Sequence, residues 1–355
     1  MKRTFVKSMP SLLLAVFLFG IACSGKNPVE PTRPEVTPLN TAQFEERLQN
    51  LAAQYRIPGM AGAIGRNGEA VWSRGFGEAN VAQHLPATSN TAFHLASLTK
   101  TFASVVVLQL VEEGKLDLED SVAKYGVALP NAAEVKIWHL LSHTSEGVPG
   151  TQYRYNGARF AKLDQVLLAA VGRPFTNLVA ERVIKPLGLR YTGPGDLKLA
   201  FAAGLDTVAL RSALAQGYSS DGKQAIPYPT YVGTSAGLIS STQDMLAYSW
   251  AWDEDRFLKP ETKTRAFSPI RTAQGQTLPY ALGWFVTEYN GEALVWHYGY
   301  DTAISSLLIK VPARKITFVL LANSDQLSAR FGLGVGDLLS SPFARAFLGW
   351  LAAGS

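Results

Sequence analysis

A single cysteine, Cys23, in 355 residues excludes an intrachain disulfide, so packing and hydrogen bonding must hold the fold together. Charge is also sparse, at 17% of residues, with a formal net value of +5. Lys2, Arg3 and Lys7 precede residue 23 with no acid among them, which leaves 5 − 3 = +2 for the rest. A near-neutral chain without basic runs offers no phosphate footprint, so nucleic-acid binding gains no support. No period of repeat length is visible. The longest apolar run, Leu12 to Ala22, is shorter than the about 20 residues needed to span a bilayer.

That run follows a basic start and ends at the cysteine, the pattern of an export signal. "GIAC" resembles a bacterial lipobox, with Gly20 where leucine is usual, and Cys23 is the expected lipid-attachment site. Residues 1–22 are then a signal peptide. Residues 23–39, with prolines at 28, 31, 34 and 38, form a semi-rigid tether. The expected location is outside the inner membrane, anchored by lipid and facing the periplasm or the exterior.

The whole chain is 47% hydrophobic, and the remainder (40–355) is long enough for a large core. Phe44, Leu48, Leu51, Ala52 and Tyr55 recur at helical spacing behind an N-cap at Asn40 or Thr41. Asn67-Gly68 and Asn290-Gly291 each join apolar runs, which predicts two tight hairpins. The expected sheet has about five antiparallel strands, two from the start of the fold and three from its end. Runs at 101–113, 160–171 and 242–252 have helical length. The predicted fold is α/β (α+β): a sheet region from 40–96 and 266–355 flanked by helices, carrying a mostly helical insertion over 97–265.

"FHLASLTKTF", residues 93–102, places Ser97 three residues before Lys100 at the head of an apolar run. On a helix the two share a face. Lys100 is either an ordinary solvent-facing lysine of a first turn or the base that activates Ser97. Burial would favour its neutral amine and the second role.

Other stretches bear on that choice. "LLSHTSEGVPG" ending at Gly150, "YRYNG" (153–157), "GTSAGLISSTQDM" (233–245) and "WHYGYDTAISSLLIKVP" (296–312) follow in order. Together with the Ser97 segment they resemble the class C β-lactamase and penicillin-binding-protein-like serine hydrolases over roughly residues 40–325. The resemblance implies a β-lactamase/transpeptidase-like fold, with Ser97 as nucleophile, Lys100 as its partner and Tyr155 as the tyrosine of a Tyr-x-Asn element. It implies that His297-Tyr298-Gly299 stands for Lys-Thr-Gly, so that His297, Gly299 and Asn156 contact substrate. It places the oxyanion hole at the backbone N–H groups of Ser97 and Tyr300. Asn156 sits one place early in its element, and Gly157 leaves the third position without a side chain. Histidine in place of lysine removes a permanent cation.

Two rivals stand beside this reading. "GTSAG" is a formal G-x-S-x-G with Asp244 and His297 downstream, but Pro227 and Pro229 occupy the strand such a serine must end. Ser235 is therefore read as structural, in a loop before a helix capped by Ser241 or Thr242. His139 and His143 share a helix face but lack the glutamate of H-E-x-x-H and a third ligand, so no metal or other cofactor is expected. His84 and His94 carry no motif. The expected substrate is a small molecule or peptide, possibly derived from cell wall: an ester, a D-amino-acid peptide of the D-alanyl-D-alanine carboxypeptidase kind, or a β-lactam. A catalytically silent binder of cell-wall fragments is the alternative from another class.

Overall fold

The computed structural model describes Met1 and residues 36–354; the export segment, Cys23 and most of the tether lie outside these residues. Helix α1 (Thr41–Gln54) starts at Asn40, whose side chain accepts from Gln43 N–H while the Gln43 side chain returns the bond. Its Phe44, Leu48 and Leu51 are buried, each contributing about 1.5–3 kcal/mol relative to exposure.

Strands β1 (Gly59–Arg66), β2 (Glu69–Asn80) and β3 (Leu85–Pro86) follow. A second group, β4 (Phe93–His94), β5 (Gly193–Pro194) and β6 (Leu238–Ser240), forms a three-stranded sheet of its own in the order β4-β6-β5. The chain ends with β7 (Phe285–Tyr289), β8 (Glu292–Asp301), β9 (Ile304–Val311) and β10 (Ile316–Ala322). The main sheet is antiparallel, in the order β3-β2-β1-β10-β9-β8-β7. It has seven strands, more than the expected five or so: β3 is added at one edge, and the end of the fold supplies four strands, β7 to β10, where three were expected. Both predicted hairpins form, and Asn67, Gly68, Asn290 and Gly291 all take the positive φ that such turns require.

First and last strands meet where β1 pairs with β10, from Met60↔Ala322 to Arg66↔Ile316. Both strands are almost wholly buried because helices cover both sheet faces. Met60, Ile64, Phe318 and Leu320 pack with α1 and the C-terminal helix, Pro342–Ala352. Ala61, Ala63, Val319 and Leu321 face the other way, toward α2 (Thr99–Glu112) and α3 (Thr242–Asp253). The period of two along each strand thus assigns alternate residues to two separate cores. On the second face Lys310 is fully buried and pins α3 to the sheet through Asp253 (2.9 Å) and the Ser249 carbonyl (3.1 Å).

Candidate active site

Strand β4 leads directly into the Ser97 turn. Ala96–Leu98 make one 3-10 turn, and α2 begins at Thr99. Ala96, with φ of +45°, occupies the left-handed region that a side-chain-bearing residue adopts only under constraint. The constraint is visible on the strand opposite. Gly299 of β8 lies so close under the Leu95 carbonyl that a Cβ there would collide with it and with the Ser306 hydroxyl. Ser306 Oγ donates to that same carbonyl at 2.8 Å, and Leu98 N–H donates to it at 3.1 Å. Glycine at 299 is therefore a packing requirement that holds the Ser97 turn against β8.

Lys100 Nζ donates to Ser97 Oγ at 2.9 Å and to the Ser235 carbonyl at 2.8 Å. The lysine is 1% exposed, which disposes of the solvent-facing alternative. Burial brings its pKa down to about 7. Among the described residues no carboxylate pairs with it; its Nζ lies 5.2 Å from the Tyr155 ring centroid and 5.3 Å from that of Phe160. Lys310, equally buried, differs by having Asp253 as a counterion.

Tyr155 completes the cluster. Burial first, and Tyr298 second, push its pKa well above the usual range, with Ser97 as the neighbour that favours phenolate. Its hydroxyl is shielded from solvent and makes no hydrogen bond of normal geometry. One residue, His143, grips the chain on both sides of it. The His143 carbonyl accepts from Arg154 N–H (2.8 Å), and Nδ1 accepts from Asn156 N–H (3.1 Å). The imidazole also lies 4.2 Å from the Tyr155 ring. Burial and then Lys100 hold the pKa of His143 well below its ordinary value, so the acceptor at Nδ1 persists at neutral pH. His139 spends its own Nδ1 on Lys136 N–H at 2.9 Å.

His297, which the motif would set against substrate, is engaged within the fold. It is 0% exposed, and both ring nitrogens are taken. Nδ1 lies 2.6 Å from the Tyr298 carbonyl and Nε2 lies 2.7 Å from the Tyr280 hydroxyl. A carbonyl can only accept, so Nδ1 carries the proton and Nε2 accepts from Tyr280. Burial, followed by Lys100, lowers its pKa to about 3. Asn156 is also committed internally. Its Oδ1 caps the short helix Gly157–Phe160 through Arg159 N–H (3.0 Å), and its Nδ2 donates to Glu146 (2.6 Å). Gly157 instead stands beside the base: a Cβ there would lie 3.9 Å from Lys100 Nζ, an ordinary van der Waals distance.

Ser235 enters the site through its carbonyl, a role that no sequence signal marks. Its loop is tied to Asp164, which accepts from Thr234 N–H and the Tyr231 hydroxyl, both at 2.7 Å. The helix behind it, α3, is capped by Ser241, which accepts from Asp244 N–H at 3.1 Å. Asp244 accepts from Thr192 Oγ1 and Tyr191 N–H, so it is not the partner of a Ser235 triad.

The sequence model of the beta-lactamase family matches residues 44–334. The chain belongs to the beta-lactamase family. Its relatives include a D-aminopeptidase of Gluconobacter oxydans, 24% identical over 316 residues, covering 80% of this chain and 59% of that protein. Penicillin-binding protein 4* of Bacillus subtilis is 24% identical over 307 residues, covering 73% of this chain and 66% of that one. The chain therefore spans about 59–66% of the length of these curated relatives. An octameric penicillin-binding protein homologue from Pyrococcus abyssi shares the fold, with a TM-score of 0.74 and 22% identity over 87% of this chain and 77% of its own. A penicillin-binding protein from Bacillus halodurans does so with a TM-score of 0.66 and 21% identity, over 78% and 94% respectively.

Proposed function

We propose that this beta-lactamase family member is a serine hydrolase that cleaves an ester or a D-amino-acid amide or peptide through an acyl-enzyme on Ser97. One observation carries the reading: a fully buried lysine, without a counterion among the described residues and with its pKa lowered to about 7, is hydrogen-bonded to Ser97 Oγ. As Ser97 Oγ attacks the carbonyl carbon, its proton passes to neutral Lys100. The oxyanion sits between the N–H groups of Ser97 and Tyr300, where removing one donor costs about 2.7–4 kcal/mol. The Tyr155 phenol, neutral at rest, protonates the leaving group and is reprotonated from Lys100. Water then attacks the acyl carbon and gives its proton to Lys100, which passes it to Ser97 Oγ as the acyl–oxygen bond breaks.

The order of Ser97, Lys100, Tyr155 and His297–Gly299 supports the class C and penicillin-binding-protein-like branch of the family. The internally committed Asn156 supports the second reading, a silent relative that binds cell-wall fragments. Covalent labelling separates the two. A fluorophosphonate followed by peptide mass mapping should modify Ser97; Ser97→Ala should abolish labelling and Ser235→Ala should leave most of it. Failure to label a folded protein supports the silent binder, and labelling lost only in Ser235→Ala moves the nucleophile to "GTSAG".

We further propose export and lipid attachment at Cys23, on the strength of "GIAC" behind a basic, apolar segment. Expressed with its own N-terminus, the chain should partition into detergent and Cys23→Ala should not. An unmodified N-terminus extending beyond Cys23 would end this proposal.

A further inference from the structure

The walls of the Ser97 cluster say what kind of acyl donor suits it. Around Ser97, Lys100 and Tyr155 stand His143, Phe160, Tyr280, Phe285, His297 and Tyr298. Lys100 is the one ammonium among them, and its Nζ is spent on Ser97 and the Ser235 carbonyl. The place on β8 where a cation could hold a substrate carboxylate belongs to His297, which has no free nitrogen. Making it an imidazolium would force Nε2 to donate toward Tyr280, whose hydroxyl would have to turn and accept.

The arginines next along the chain are occupied: Arg154 with Glu146 (3.1 Å) and Arg159 with the Ser145 carbonyl (2.7 Å). On the Asn156 side Glu146, which hydrogen bonds from Asn156 and then Arg154 hold below the usual carboxylate range, is the carboxylate that Arg154 and Arg159 already face. Asp164 stands under the opposite loop. Exposed side chains at the mouth are aromatic: Tyr300 at 51% and Tyr231 at 45%.

Resting on the acyl-enzyme reading, we propose that the site takes an uncharged acyl donor, an ester or amide with no carboxylate beside the scissile bond, and discriminates against carboxylate-bearing peptides and β-lactams. A carboxylate desolvated there would lose its hydration without gaining a charged partner, a loss that corresponds to about 10-fold or more in rate.

The test is a matched pair of thioesters with one acyl group, whose leaving thiol carries either a methyl ester or a free carboxylate. Their kcat/KM ratio from pH 5.5 to 8.5 cancels the titration of Lys100 and Tyr155, which both substrates share. The expected result is a neutral preference of about 10-fold or more that is flat with pH. Tyr300→Arg or Tyr231→Arg, each placing a guanidinium at the mouth, should narrow it. Equal or faster cleavage of the carboxylate, or a carboxylate preference that fades as pH rises through the histidine range, overturns the inference. Cleavage of neither thioester, or cleavage that survives Ser97→Ala, removes the acyl-enzyme reading and this inference with it.

Discussion

Replacing Gly299 by alanine should disable the site more than it destabilises the protein. The added methyl would overlap the Leu95 carbonyl, which begins the Ser97 turn, and the Ser306 hydroxyl that holds this carbonyl in place. Neither obstacle is the free end of a flexible chain, so relief requires the turn and β8 to separate by on the order of 1 Å. Overpacking of this kind costs about 1–3 kcal/mol of stability. The same separation would move Ser97 away from the proposed oxyanion donor, the Tyr300 N–H, and a misplacement of about 1 Å can cost about 100-fold in rate, or about 2.7 kcal/mol. The assay is kcat/KM on a neutral ester together with thermal unfolding. Ser306→Ala serves as the comparison, since it deletes the hydrogen bond without the clash and should cost about 1 kcal/mol of stability with a smaller kinetic loss. A Gly299→Ala protein that folds and keeps activity within about 3-fold would refute the argument that this contact sets the nucleophile's position.

The pH dependence follows from Lys100. Its pKa is depressed to about 7 and the base is the neutral amine, so acylation should rise with pH, by about 10-fold between pH 6 and pH 8. This limb should vanish from the residual activity of Lys100→Ala. His143→Ala should lower kcat more than it raises KM, because it removes the Nδ1 acceptor of Asn156 N–H and the ring packed beside Tyr155, while the backbone carbonyl that holds Arg154 N–H remains. His143→Asn should recover part of the loss, since its amide oxygen can replace Nδ1 and asparagine tolerates the φ of +55° at this position. Asn156→Ala should cost about 0.5–2 kcal/mol of stability through its lost helix cap, read as a lower Tm, and leave kcat/KM on a neutral ester nearly unchanged. A large kinetic loss without a stability loss would return Asn156 to substrate binding.

Much of the frame was legible because its signals are local. The Asn-Gly turns, the capping residue of α1 and the three-residue step from Ser97 to Lys100 each depend on a few neighbouring side chains. What could not be read depends on partners far along the chain. The Ser235 carbonyl reaches Lys100 across 135 residues, and a backbone acceptor has no sequence signature. His297 looked like a substrate contact by its place in a motif, but Tyr280, 17 residues earlier, decides which way its ring faces and which nitrogen is protonated. His143 looked at most like half of a metal pair; its grip on Tyr155 needs a left-handed backbone that the sequence does not announce. The edge strand β3 escaped notice because it has two residues, one of them proline.

The central claim is that Ser97, activated by Lys100, carries the acyl group during turnover. Rapid quenching with acid during hydrolysis of a neutral ester, followed by proteolysis and mass spectrometry, tests it most directly. The account predicts an added acyl mass on the peptide containing Ser97, appearing before steady state and absent in Ser97→Ala. Turnover with no acyl adduct on Ser97, or an adduct on Ser235 in its place, would contradict it.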